Sequence, residues 1–203
     1  MSKIKICGVF MPEDIDAVNE ALPDYTGFVF APSRRQISAA QGHALRAWLD
    51  RRILAVGVFV DAVIADIAAL CREGVIDMVQ LHGNEDADYI ERLKDKADVP
   101  VIKAVRVQNT AQIEEAQQFA CDYLLLDTYA KNSMGGSGRS FDWSLIPPLY
   151  KPYFIAGGID VANINKAVEL KPYCIDISSG AETNGLKDYK KIAELVRKVR
   201  SVK

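Results

Sequence analysis

Histidine is scarce in this 203-residue chain, which holds only His43 and His82, and its four cysteines, Cys7, Cys71, Cys121 and Cys174, lie far apart with no CxxC pair. A zinc site is hard to assemble from that stock, so no metal is expected. Unpaired, scattered thiols fit the reduced cysteines of a cytoplasmic protein. No run approaches the roughly 18 consecutive apolar residues of a membrane span, and the N-terminal MSKIKIC begins a strand-like alternation where a signal peptide would carry its apolar segment. A cytoplasmic location and no membrane partner are therefore expected. Charge of one sign is also lacking: 25 Lys and Arg against 27 Asp and Glu leave a formal net charge of −2. Nucleic acids are met by clustered basic residues, so none is expected as a partner, and a small molecule is the natural ligand. Neither a linker nor a low-complexity segment interrupts the chain, which reads as one domain over residues 1–203.

What the sequence does contain is a repeated alternation. Short apolar, β-rich runs recur at 3–7, 26–30, 54–60, 78–82, 101–105, 123–127, 153–156 and 174–178. Helix-like segments at 12–22, 38–51, 62–72, 86–96, 110–119, 161–170 and 187–199 separate most of them, and only a short helix near Trp143 is expected between the sixth and seventh. Each gap accommodates one helix and two short loops, as a parallel βα unit requires. Eight such units in about 200 residues predict an α/β fold, the closed (βα)8 TIM barrel near its lower size limit, where an open doubly wound sheet would usually show five or six strands.

Alternation within the strands predicts which side chains face inward. Ile4 and Ile6 oppose Lys5 and Cys7, Val79 and Leu81 oppose Gln80 and His82, and Ile175 and Ile177 oppose Asp176 and Ser178. If the aliphatic faces lie under the helices, then Lys5, Cys7, Gln80, His82, Lys103, Asp127 and Asp176 point into the barrel. A barrel interior built for stability alone would be filled by Val, Ile and Leu, so this polar set marks an active site.

Glycine-rich loops follow the last three strands: Gly135, Gly136, Ser137 and Gly138, then Gly157 and Gly158, then Ser178, Ser179 and Gly180. Singly, such loops are ordinary turn chemistry. Together they sit where barrel enzymes cradle a phosphate with backbone N–H groups, and predict a phosphorylated ligand bound by Gly136, Ser137, Gly157, Gly158, Ser178, Ser179 and Gly180. Arg34 and Arg35, after the second strand, offer positive charge to an acidic group at the ligand's other end.

The residues also resemble a known family. KICG at 5–8, GFVFAPSRRQIS at 27–38, VGVFV at 56–60, VQLHG at 79–83, LLLDT at 124–128, GGSGRSFDW at 135–143, AGGI at 156–159 and DISSGAE at 176–182 are similar, in combination and over essentially the whole chain, to phosphoribosylanthranilate isomerases. The resemblance implies an isomerase of tryptophan biosynthesis that carries out an Amadori rearrangement by general acid–base chemistry, with no cofactor. It implies Cys7 as the general base and Asp127 as the general acid, with Arg35, or Arg34 in its place, His82 and Asp176 contacting the anthranilate and sugar portions. A thiol serves as base only if its pKa is lowered, and Lys5 beside Cys7 is the expected source of that lowering. Two other readings are weighed: a phosphate-anchored Schiff-base aldolase with Lys103 as nucleophile, and a non-catalytic sensor of a phosphorylated ligand. Whether the chain is a monomer or a homodimer is left open.

Overall fold

The computed structural model describes residues 1–128 and 140–201. The glycine cluster at 135–138, with Gly136 and Ser137, lies outside the described residues. Eight parallel strands close into a barrel in sequence order: β1 (Lys3–Cys7), β2 (Tyr25–Val29), β3 (Leu54–Phe59), β4 (Met78–Leu81), β5 (Val101–Val107), β6 (Tyr123–Thr128), β7 (Tyr153–Ile155) and β8 (Cys174–Ile177), with β8 returning to pair with β1. The expected (βα)8 barrel is the fold. Around it run α1 (Pro12–Ala21), α2 (Ala39–Trp48), α3 (Ile64–Arg72), α4 (Ala87–Lys94), α5 (Thr110–Ala116), α6 (Ile164–Glu169) and α7 (Tyr189–Ser201). A 3-10 turn at Trp143–Leu145 lies between β6 and β7, and a small hairpin, β9 (Glu182–Thr183) with β10 (Leu186–Lys187), lies between β8 and α7. Among the described residues no helix is long and apolar enough to cross a membrane.

Local chemistry sets the helix starts. Ser38 and Gln41 form a reciprocal capping box on α2, Asp86 caps α4 through the Tyr89 N–H, and Asn109 caps α5 through the Gln112 N–H. At the N-terminal ends of the strands, three aspartates repeat one device. Asp24, Asp77 and Asp122, each just before an even-numbered strand, accept the backbone N–H of Ile4, Ala55 and Val101 in the preceding strand at 3.0, 2.7 and 2.8 Å. Every one of these bonds joins a carboxylate to a peptide donor that the ladder leaves unmet at the sheet's rim, a charge-assisted pairing.

Barrel closure divides the apolar residues into two bodies. The larger lies between strands and helices, and includes Ile4, Ile6, Val79, Leu81, Leu124, Leu126, Ile175 and Ile177. The smaller fills the barrel's lower interior with Tyr25, Val56, Met78, Ile102, Ala104, Leu125, Phe154, Ala156 and Cys174. Phe154 packs against Tyr25 and edge-on against Tyr123, with ring centroids 5.9 and 5.6 Å apart, so aromatics close the floor. Above this floor the inward side chains become polar.

The parity expectation fails at one strand. In β5 it is Ile102 and Ala104 that face the barrel interior, while Lys103 points outward, where its ammonium pairs with Glu85 at 2.7 Å and donates to the Gly83 carbonyl oxygen at 2.8 Å. Each face of β5 mixes aliphatic residues with one basic residue, Lys103 on one and Arg106 on the other, so polarity alone could not say which lay inside.

Candidate active site

Above the aromatic floor, at the C-terminal ends of the strands, opens a cavity of about 140 Å³ bordered by Cys7, Arg35, Gln80, His82, Asp127, Asp176 and the glycine loops after β7 and β8. Cys7 ends β1 and Asp127 lies near the end of β6, so the two meet the cavity from opposite walls of the barrel. Space for the thiol is made by β2. A Cβ on Gly27 would lie 2.7 Å from Cys7 Sγ and 3.2 Å from Lys5 Cε, so any larger residue there would displace both.

Lys5 is completely buried beneath the cavity, where it donates to Gln80 Oε1 at 2.6 Å and Asp176 Oδ2 at 3.1 Å. Burial opposes its charge, but Asp176 and Cys7 outweigh that and hold the ammonium above its ordinary pKa, so Lys5 remains a cation. Asp176 Oδ1 is buried without a partner among the described residues. An unmet carboxylate oxygen on the cavity wall is costly unless a ligand hydroxyl or amine supplies a proton donor. Gln80 continues the network: its Nε2 lies 2.9 Å from His82 Nδ1, and His82 Nε2 lies 3.3 Å from Asp127 Oδ2. Asp127 Oδ1 accepts the Thr128 N–H at 2.8 Å.

The expectation of a lowered thiol pKa is corrected. Cys7 keeps one edge toward the cavity but is otherwise surrounded by protein, and burial pushes its thiol above the ordinary cysteine value. Lys5 and then Lys187 oppose that shift, while the Asp176 carboxylate adds to it.

The second-strand loop places the two arginines differently. The Arg35 side chain is 12% exposed and borders the cavity, whereas that of Arg34 is 59% exposed and does not. Glu182 in β9 holds Arg35 by two bonds, to Nε at 2.7 Å and Nη2 at 3.0 Å, and also meets Arg34 and the buried ammonium of Lys187. Burial alone would raise the Glu182 carboxyl, but Arg35 and Lys187 bring it below the ordinary range, so it stays ionised. Lys187 also donates to the Ser178 carbonyl oxygen, and the Ser178 hydroxyl donates to the Cys7 carbonyl oxygen, which ties the hairpin to the end of β1.

Gly157, with φ of +90°, and Gly158, with φ of +61°, form the cavity edge beside Ser178 and Ser179. Among the described residues, the N–H groups of Gly157, Gly158, Ser179 and Gly180 find no backbone acceptor. Such a row of free donors suits a polyanion. Gly180 itself does not border the cavity: a Cβ there would run into the Ile159 carbonyl, so it brings the β8 loop against the β7 loop.

A family model described as N-(5'phosphoribosyl)anthranilate (PRA) isomerase matches residues 4–198. The chain belongs to this family. Among its phosphoribosylanthranilate isomerase relatives, the protein of Endomicrobium trichonymphae is 50% identical over 203 residues, covering all of both chains. The solved phosphoribosyl anthranilate isomerase of Thermotoga maritima is 32% identical and superposes with a TM-score of 0.88 over the full length of both chains. Another solved phosphoribosyl anthranilate isomerase, 31% identical with a TM-score of 0.84 over both full chains, is described in complex with reduced 1-(o-carboxyphenylamino)-1-deoxyribulose 5-phosphate.

Set beside the sequence, this phosphoribosylanthranilate isomerase site brings Cys7, Arg35, His82, Asp127, Asp176, Gly157, Gly158, Ser178 and Ser179 around one cavity. Sequence reasoning missed Arg106, which shares the inward face of β5 with Ile102 and Ala104, borders the cavity and donates to the His82 carbonyl oxygen at 3.3 Å. Correct parity for β5 would have found it. Glu182 was missed because its arginine partners lie far from it in sequence, and Lys187 because only the hairpin fold turns it back onto Glu182 and Ser178. Lys103 does not border the cavity, so the Schiff-base reading loses its nucleophile.

Arg35→Lys gives up the planar fork needed for two-point contact with a carboxylate. We expect KM for the anthranilate substrate to rise about 10- to 100-fold, the scale of a lost charge-assisted hydrogen bond, while Arg34→Lys leaves it within about twofold. Steady-state kinetics on both variants checks this, and equal effects would remove Arg35 from the binding role.

Proposed function

We propose that this chain, as one catalytic domain over residues 1–203 acting in the cytoplasm, converts N-(5-phosphoribosyl)anthranilate to 1-(2-carboxyphenylamino)-1-deoxyribulose 5-phosphate in tryptophan biosynthesis. The observation that carries the reading is the placement of a thiol and a carboxyl, Cys7 and Asp127, on opposite walls of one cavity whose edge carries backbone donors with no backbone acceptor among the described residues.

The phosphate is held by backbone N–H groups of Gly157, Gly158 and Ser179 at the cavity edge, and the anthranilate carboxylate by Arg35. The Asp127 carboxyl gives its proton to the ribose ring oxygen as the C1′–O bond breaks, and the aniline nitrogen lone pair forms the iminium. Cys7, as thiolate, then takes the C2′ proton, and the electron pair left behind neutralises the iminium to give the enolamine. Tautomerisation of the enolamine yields the ketone. Asp176 Oδ1 accepts a hydrogen bond from a ribose hydroxyl, which satisfies the oxygen the protein leaves unmet. Holding both proton-transfer groups in one cavity supplies the orientation the reaction lacks in solution.

The test is loss of phosphoribosylanthranilate fluorescence on addition of purified protein, with no nucleotide or metal and after exhaustive chelation. Turnover is expected under those conditions. Absence of turnover, or activity restored only by a metal, would overturn the reading.

A further inference from the structure

Among the cavity residues, Gln80 has no part in the chemistry above, yet it is 1% exposed and stands between two groups that dictate its orientation. Lys5 has only donors, so the side-chain atom 2.6 Å from its ammonium must be the amide oxygen of Gln80. Asp176, as the counter-ion of Lys5 at 3.1 Å, fixes the ammonium in place. The Gln80 amide nitrogen therefore faces His82 Nδ1 at 2.9 Å as a donor. A proton on Nδ1 would set two donors face to face. Nδ1 must accept, and the proton of a neutral His82 ring must lie on Nε2, the atom 3.3 Å from Asp127 Oδ2.

We propose that Gln80 is a positioning residue which, oriented by Lys5, keeps the His82 proton on Nε2 so that it faces Asp127. That location has a chemical use, and this part rests on the reading of Asp127 as proton donor. When Asp127 releases its proton to the ring oxygen, it becomes a carboxylate in a confined cavity, and an N–H on the ring nitrogen 3.3 Å away stabilises the charge as it appears. No proton leaves His82 in this scheme. One polar chain, from Asp176 through Lys5, Gln80 and His82 to Asp127, thereby carries orientation across the barrel.

Only two histidines are present, so ¹⁵N-histidine labelling gives a spectrum of two rings, with His43→Gln identifying the signals of the surface ring. Two-bond nitrogen–proton correlations report which ring nitrogen bears the proton, without substrate and without any change to the site. The wild-type protein at pH 8 is expected to show His82 protonated on Nε2 and bare on Nδ1. Gln80→Glu replaces the donor by a second acceptor, and is expected to bring a proton onto Nδ1. A wild-type His82 protonated on Nδ1, or a Gln80→Glu spectrum unchanged from wild type, would overturn the proposal. Gln80→Met, which removes the orienting amide, is expected to lower kcat by at least about tenfold, part of what a lost donor to a developing anion costs, with KM within about threefold. An unchanged kcat would overturn the link to Asp127. Because the nitrogen spectra need no substrate, failure of the isomerase reading would leave them standing, and failure of the spectra in an active enzyme would remove only the role of Gln80.

Discussion

Asp127→Asn lowers kcat by about 10²- to 10⁴-fold, the range over which a positioned acid or base acts, while binding of a product analogue stays within a few fold. The amide keeps the shape of the carboxyl, but it has no acidic proton to deliver to the ribose oxygen. Ring opening is the step that fails. A substrate analogue held in the open-chain form bypasses that step, and its C2′ proton should exchange with solvent at nearly the wild-type rate in the Asn variant, because Cys7 is untouched. Exchange measured by NMR in deuterated buffer separates the steps. Exchange lost in Asp127→Asn but kept in Cys7→Ser would reverse the assignments of acid and base.

Cys7→Ser produces a loss of similar size from the other wall of the cavity. A hydroxyl is far less acidic than a thiol, so the serine cannot supply a competent base near neutral pH. More than a tenth of wild-type kcat in this variant would remove Cys7 from the role. The pH dependence carries a second check. The base acts as thiolate, whose fraction grows with pH, and burial pushes the Cys7 thiol upward against the opposing pull of Lys5. In the free enzyme the rate at which iodoacetamide alkylates Cys7, which follows the thiolate fraction alone, should therefore still be rising past about pH 8.5, the ordinary value for cysteine. A limb that levels off below neutrality would show a thiol stabilised as anion in the free enzyme.

How far the sequence could be read depended on whether a signal was local. The eight strands were legible because β propensity and spacing recur along the chain. Cys7, His82 and Asp176 were legible because polar residues alternate with aliphatic ones along KIKIC, MVQLH and CIDIS, and Asp127 because a single carboxyl follows the apolar run of β6. Lys103 was misplaced and Arg106 overlooked for one reason, since each face of β5 carries aliphatic residues and one cation, so a polar residue does not mark the inward side there. The balance of charge around Cys7 was not legible either. Lys5 is visible as a neighbour in sequence, but the extent of burial that opposes it, and the approach of Lys187 from a distant hairpin, arise only when the barrel closes.

The three aspartates at the barrel's lower rim have a consequence for how the chain can be divided. Asp24 binds β1 across α1, Asp77 binds β3 across α3, and Asp122 binds β5 across α5. Each clamp thus encloses one strand–helix–strand module, and α2 and α4 lie between modules. Severing the chain within α2 or α4 leaves all three clamps intact inside their fragments, whereas severing it within α1, α3 or α5 breaks one. Split-protein complementation and circular permutation should follow that alternation, with even-numbered helices of the first half tolerating new termini and odd-numbered ones resisting them.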